Sequence, residues 1–232
     1  MQASPNRAPP AAGRRLPVAP EGLPIIAVFV AVAAILWWIW WPLGVIGAAL
    51  SLWCVWFFRD PERAPAPQFV DDPRAVISPA DGVIEMIATA PPPAGLAMDA
   101  VPRQRVSVFM NVFNVHVNRA PLAGRVAAIA YHPGKFMHAA ADKASDENER
   151  LALRLALADG ESVAVVQIAG LIARRIVCRV KEGVELARGE RYGLIRFGSR
   201  VDVYLPPDAV VSVAKGQRVV AGETVIALRG KA

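Results

Sequence analysis

The sequence is short of histidine and cysteine and has no extended basic run. Its three His stand at 116, 132 and 138, and its two Cys at 54 and 178. One thiol lies in an apolar stretch and the other in a strand-like run, so no disulfide framework is expected, and no Cys/His cluster has zinc spacing. A reducing, cytoplasmic setting is the default that follows. The Lys and Arg behind the net charge of +6 are scattered and not interleaved with aromatics. That argues against nucleic acid as a partner and fits an anionic lipid surface better. Charge itself is missing from the 36 residues between Leu23 and Phe58. All six Trp, at 37, 38, 40, 41, 53 and 56, fall in that stretch.

One straight helix of that length would run roughly 54 Å, against a hydrocarbon core of ~30 Å. Pro42 and Gly44 interrupt it near the middle. The stretch therefore predicts a hairpin of two short helices, over 24–41 and 43–58. Arg14 and Arg15 precede it, and Arg59 and Arg63 follow. A hairpin puts both flanks on one side, and the positive-inside rule makes that side cytoplasmic. A cleaved signal peptide is excluded by the length and by the lack of an A-x-A-like exit before Arg59. The expectation is a cell-membrane anchor over 23–58. A Pro- and Ala-rich disordered tail over 1–22 precedes it. A Pro-rich linker over 59–70 follows, and then a globular domain over 71–232.

The globular part reads as mainly β. Arg105–Met110 alternates in the strand manner, with Val115–Val117 as its continuation. Leu151–Leu157 and Ser162–Ile168, joined through Asp159-Gly160, predict a β-hairpin. Further strands are expected over 174–180 and 200–205, and a helix over 137–148. Val180–Arg191 echoes Val213–Thr224 at an offset of 33, aligning Gly183 with Gly216 and Gly189 with Gly222. Such glycines supply positive φ at tight turns. The pattern resembles the half-barrels of lipoyl and biotinyl carrier domains. The expected fold is mainly β (α+β), a lipoyl-like barrel or sandwich after an N-terminal helical hairpin.

Three segments carry candidate chemistry. The first is Arg196-Phe197-Gly198-Ser199-Arg200, at the join of two hydrophobic stretches. Alone, Gly-Ser is a common turn. The second is Ser78-Pro79-Ala80-Asp81-Gly82, which alone is an Asp-Gly turn before a strand. The third is Met110 to Arg119 (MNVFNVHVNR), holding His116. Together they resemble the phosphatidylserine decarboxylase proenzymes, in the short membrane-anchored form. Tyr131–Lys135, Asn148–Arg150, Gln167–Gly170 and Arg174-Arg175 also match that family.

The resemblance implies a proenzyme that cuts itself between Gly198 and Ser199, with Asp81, His116 and Ser199 as its triad. It implies a large chain 1–198 and a small chain 199–232, held as a heterodimer or a higher oligomer. Ser199 becomes a covalent pyruvoyl group, so pyruvate is the cofactor and no metal is expected. The enzyme then forms a Schiff base with phosphatidylserine and releases CO2 and phosphatidylethanolamine. Arg174, Arg175, Lys135 and Arg119 are candidates for holding the anionic substrate. Two positions depart from the longer bacterial enzymes. Phe113 stands where those carry a second His, and Arg200 where they carry Thr, which leaves the proton donor in decarboxylation open. Two other readings use the same fold: a tethered carrier domain, disfavoured because the tip Phe-Gly-Ser-Arg lacks Lys, and a structural membrane protein.

Overall fold

The computed structural model describes residues 17–134, 147–170, 175–196 and 199–230. Lys135, Arg174, Gly198 and positions 137–146 of the expected helix lie outside the described residues. The chain divides into two units, Met1–Pro61 and Glu62–Ala232.

In the first unit, α1 (Leu23–Ile39) and α2 (Trp41–Phe57) form the expected hairpin. The break falls at Trp40, whose backbone is extended, and Pro42 sits in the first turn of α2. Proline is tolerated there because that turn's N–H groups have no helical acceptor. Gly44, Gly47, Ser51, Cys54 and Phe57 make the buried seam of α2. A Cβ at Gly44 would lie 2.5 Å from Trp37 Cα, and one at Gly47 2.8 Å from Ala33 Cα. Small residues thus let the two backbones approach. At the base, Ala19 N donates to Phe58 O (2.7 Å) and Asp60 N to Pro17 O (2.7 Å). The chain therefore enters and leaves the hairpin side by side. The segment Pro20–Ile39 is long and apolar enough to cross a membrane, and the second helix is shorter.

Among its described residues the second unit holds a short helix, α3 (Pro67–Val70), and fourteen strands. These are β1 (Ala75–Ile77), β2 (Gly82–Ala90), β3 (Arg103–Met110), β4 (Val117–Arg119), β5 (Gly124–His132), β6 (Arg150–Ala156) and β7 (Ser162–Ile168). The rest are β8 (Ile176–Cys178), β9 (Glu185–Leu186), β10 (Arg191–Ile195), β11 (Ser199–Tyr204), β12 (Ala209–Val211), β13 (Arg218–Val219) and β14 (Val225–Arg229). The mainly β architecture is as expected. An eight-stranded sheet runs β13-β2-β3-β11-β7-β6-β5-β9, and two three-stranded sheets run β1-β14-β12 and β4-β10-β8. They enclose a main core that includes Val106, Val108, Met110, Val163, Val165, Val201, Val203 and Ile226, and a smaller cluster gathers Leu96, Ala152, Ala164, Val166, Ile168 and Tyr204.

The expected β6–β7 hairpin forms, with its register running from Arg150 opposite Ile168 to Ala156 opposite Ser162. One expectation is corrected. Val115–Val117 does not continue β3, because the chain turns after Met110 and β4 joins another sheet. The strand expected over 174–180 is only Ile176–Cys178 among the described residues.

The glycine echo is part of a larger internal two-fold. Gly183 and Gly216 have φ of 89° and 86°, and Gly189 and Gly222 have 80° and 78°. The turns Ser78–Gly82 and Ala120–Gly124 both read x-Pro-x-x-Gly, 42 residues apart. They make reciprocal bonds: Arg119 N donates to Pro79 O (2.9 Å) and Ile77 N to Pro121 O (3.0 Å). The strands after them carry matching bulges, at Ile84/Met86 in β2 and Val126/Ala128 in β5. The order of the large sheet is accordingly a palindrome, with β11 and β7 at its centre.

Candidate active site

Three chain segments meet at one end of the large sheet. Met110, the last residue of β3, pairs with Ser199, the first residue of β11. On the other side of β3, Val83 pairs with Phe109, which puts Asp81 just ahead of the same end. The backbones of β2 and β11 are two strand spacings apart, roughly 10 Å. His116 arrives through the turn after β3. In that turn Asn111 Oδ1 accepts from Phe113 N (2.8 Å), and Asn114 Oδ1 accepts from Asn111 N (2.9 Å). His116 O then accepts from Ile195 N (3.3 Å), four residues before Ser199. The bond from Arg119 N to Pro79 O ties the same segment to the turn that carries Asp81.

Each of the three side chains is buried. Ser199 is 0% exposed, and its Oγ has no hydrogen-bond partner. Strand alternation turns it toward the core with Val201 and Val203. His116 Nδ1 lies 2.9 Å from Asn114 O. A carbonyl can only accept, so Nδ1 carries the proton and Nε2 holds the lone pair of the neutral ring. Asp81 Oδ1 accepts from Ala221 N (2.8 Å), and its Oδ2 faces Arg63 Nη2 at 3.3 Å. Arg63 Nη1 also reaches Glu223 (3.1 Å). A serine hydroxyl, an imidazole and an anchored carboxylate, all buried on segments that meet at one end of the sheet, are the residue types that can activate an oxygen nucleophile, although the bonds of Asp81 described here run to Ala221 and Arg63 and that of His116 Nδ1 to Asn114 O.

The cationic candidates differ in their surroundings. Arg119 is buried, and its Nη1 donates to Gly189 O (3.1 Å) across the two-fold turns. Arg175 is exposed, and its carbonyl accepts from Arg196 N (3.2 Å), three residues before Ser199. Among the described residues, no group of three or more His, Cys, Asp or Glu could hold a metal. Tyr192 is fully buried with its hydroxyl unbonded. Burial, with Cys178 beside it, pushes its pKa well up, so it is no base at neutral pH.

Sequence reading passed over Arg63, Arg196 and Ala221. Arg63 stood in the expected linker, and Arg196 beside the Gly-Ser pair, where its buried Nε has no partner. Ala221 acts through its backbone N–H, which no side-chain pattern signals.

Comparison with known proteins completes the picture. A family model described as phosphatidylserine decarboxylase matches residues 50–227. A phosphatidylserine decarboxylase proenzyme of Ruegeria pomeroyi is 55% identical over 212 residues, 91% of this chain and 94% of the relative. One from Cereibacter sphaeroides is 55% identical over 91% of this chain and 89% of its own length. One from Paramagnetospirillum magneticum is 51% identical over 91% and 86%.

Proposed function

The chain belongs to the phosphatidylserine decarboxylase family, and from that premise we propose that it is a self-cleaving proenzyme that converts phosphatidylserine to phosphatidylethanolamine and CO2. The single observation that carries the self-cleavage is Ser199 Oγ, a buried hydroxyl with no hydrogen-bond partner. No hydrogen bond within the protein has to break before that oxygen acts as a nucleophile, and it directly follows the Gly198 carbonyl in the chain.

His116 Nε2 takes the Ser199 hydroxyl proton, and Oγ attacks the Gly198 carbonyl carbon. Asp81 sits in the turn that Arg119 N ties to the His116 segment, and its carboxylate balances the charge the ring gains. The C–N bond breaks, the proton passes to the nitrogen, and an ester replaces the amide. A base then removes the Cα proton of residue 199, the Cβ–Oγ bond breaks, and Gly198 leaves as a carboxylate. The remaining dehydroalanine adds water and loses ammonia. Chains 1–198 and 199–232 result, and they stay together as one folded unit because β11 sits between β3 and β7.

The pyruvoyl group so formed supplies an electron sink for the carbanion left by CO2. Its position suits that task, since the apolar core behind Val201 and Val203 keeps water off one side. Arg175 and Arg196, with Lys135 and Arg174, supply positive charge for the substrate phosphate and carboxylate. The helical hairpin holds the catalytic unit at the cytoplasmic face of the cell membrane, where this substrate is concentrated.

The test is the intact mass of the denatured protein. The expected result is a fragment of residues 199–232, lighter by one ammonia than the same peptide beginning with Ser. His116→Ala and Asp81→Asn should leave a single uncut chain. A wild-type chain purified whole from membranes would end the reading.

A further inference from the structure

Two buried amides face the same end of the sheet as Ser199. Gln167 Nε2 donates to Asn118 Oδ1 (2.8 Å), and both residues are 0% exposed. Asn118 Nδ2 is directed at Met110 Sδ, 3.7 Å away. Met110 is the cross-strand partner of Ser199, and Gln167 pairs with Val201, two residues on, so all three side chains share one face. A thioether is a weak acceptor, so this amide N–H is poorly satisfied. Gln167 Oε1 has no partner at all. Two under-satisfied amides in an apolar core are costly.

The internal two-fold tells whether the fold needs them. Asn118 pairs with Gly193 in β4–β10, and its counterpart Val76 pairs with Ala227 in β1–β14. Gln167 pairs with Leu151, and its counterpart Leu205 donates its N–H to Gln104 O. Val76 and Leu205 are both apolar and 0% exposed. The same scaffold therefore packs with apolar side chains at the two-fold-related places, where Leu205 lies at the opposite end of β11 from Ser199.

We propose that Asn118 Nδ2 is the oxyanion donor for self-cleavage, with Gln167 the positioning residue that fixes which end of the Asn118 amide faces Ser199. The inference rests on the cleavage reading above. When Oγ bonds to the carbonyl carbon, the carbonyl electrons move to its oxygen, and Oγ and that oxygen then share one carbon. A donor poised beside Ser199 gains a charged acceptor at that moment and has only sulfur before it. Binding that is better in the transition state than in the ground state is what lowers a barrier.

The experiment follows cleavage of the full chain, made in membranes and purified in detergent. Asn118→Leu fits by volume but leaves Gln167 Nε2 without its acceptor, so its melting temperature should fall by a few degrees; at a temperature well below that midpoint it should cleave roughly 100-fold more slowly. Gln167→Glu should slow cleavage as well, because a carboxylate accepts from Asn118 and turns its N–H away. Its rate relative to wild type should recover as the pH is lowered and the carboxyl becomes a donor, which a packing defect would not do. Hydroxylamine cleaves esters, so it locates the blocked step. It should not cut the uncut Asn118→Leu chain, because the ester has not formed. Rapid cutting by hydroxylamine, or cleavage of Asn118→Leu at the wild-type rate, would overturn the role. Wild-type chain that stays uncut would overturn the cleavage reading and this role with it.

Discussion

Arg200 follows the Gly-Ser pair where longer relatives of the resembled family carry Thr, and its surroundings give the departure a physical meaning. Strand alternation sends its side chain to the sheet face opposite Ser199. It is 0% exposed there, as is Asp202. Arg200 Nη2 donates to Asp202 Oδ2 (3.1 Å), and its Nε lies 2.8 Å from Oδ1 but off the donor axis. Arg105 Nε stands 3.9 Å from the same carboxylate. Burial, and then Asp202, push the nearby Tyr204 hydroxyl up in pKa. Breaking such a buried pair by removing one partner costs about 3–5 kcal/mol, whereas replacing both with apolar groups is often near neutral. In an uncleavable Ser199→Ala chain, Arg200→Leu should lower unfolding free energy by about 3 kcal/mol. Adding Asp202→Leu should restore most of it, as read by chemical denaturation. Equal losses in the single and double variants would show that the pair is not what the cluster needs.

At the scale of elements, glycines do two different jobs, and substitution separates them. Gly160 turns the β6–β7 hairpin with φ of 88°, and a Cβ there would meet nothing within 4 Å. Alanine at 160 should cost only the backbone strain, about 1 kcal/mol. Gly82 opens β2 beside Asp81, and a Cβ there would lie 2.0 Å from Phe109 O. That oxygen belongs to a paired strand and cannot move aside. Gly82→Ala should therefore destabilise by about 3 kcal/mol and leave part of the chain uncut. Denaturation midpoints and the cut fraction check both. Gly82→Ala as mild as Gly160→Ala would refute the close approach. Asp159-Gly160 was legible because a hairpin turn is local. The Gly82 contact was not, because its partner lies 27 residues along the chain.

For the whole molecule, the placement of tryptophan gives a direct readout. All six lie in the hairpin, and Trp38 is 89% exposed at its tip. Emission from the native protein therefore reports on that unit alone. Transfer from detergent to anionic vesicles should keep the emission blue, and lipids brominated near the headgroup should quench it strongly, because Trp favours the interface. Emission at the position of water-exposed indole, unquenched by brominated lipid, would show that the hairpin is not in the bilayer.

The hairpin, the β6–β7 pair and the positive-φ glycines were readable in the sequence because each rests on neighbours within a few residues. A charge-free run, an Asp-Gly turn and a glycine spacing carry their physics locally. The segments around Asp81, His116 and Ser199 were readable as segments, through resemblance. Tertiary structure alone decided what surrounds them. Arg63 on Asp81, Asp81 on Ala221 N and Gln167 on Asn118 join residues far apart in the chain that meet only after the sheets form. The two-fold was half hidden for the same reason. Its glycines survive because backbone conformation demands them, while Asn118 and Val76 have diverged because only the protein's interior distinguishes the two halves.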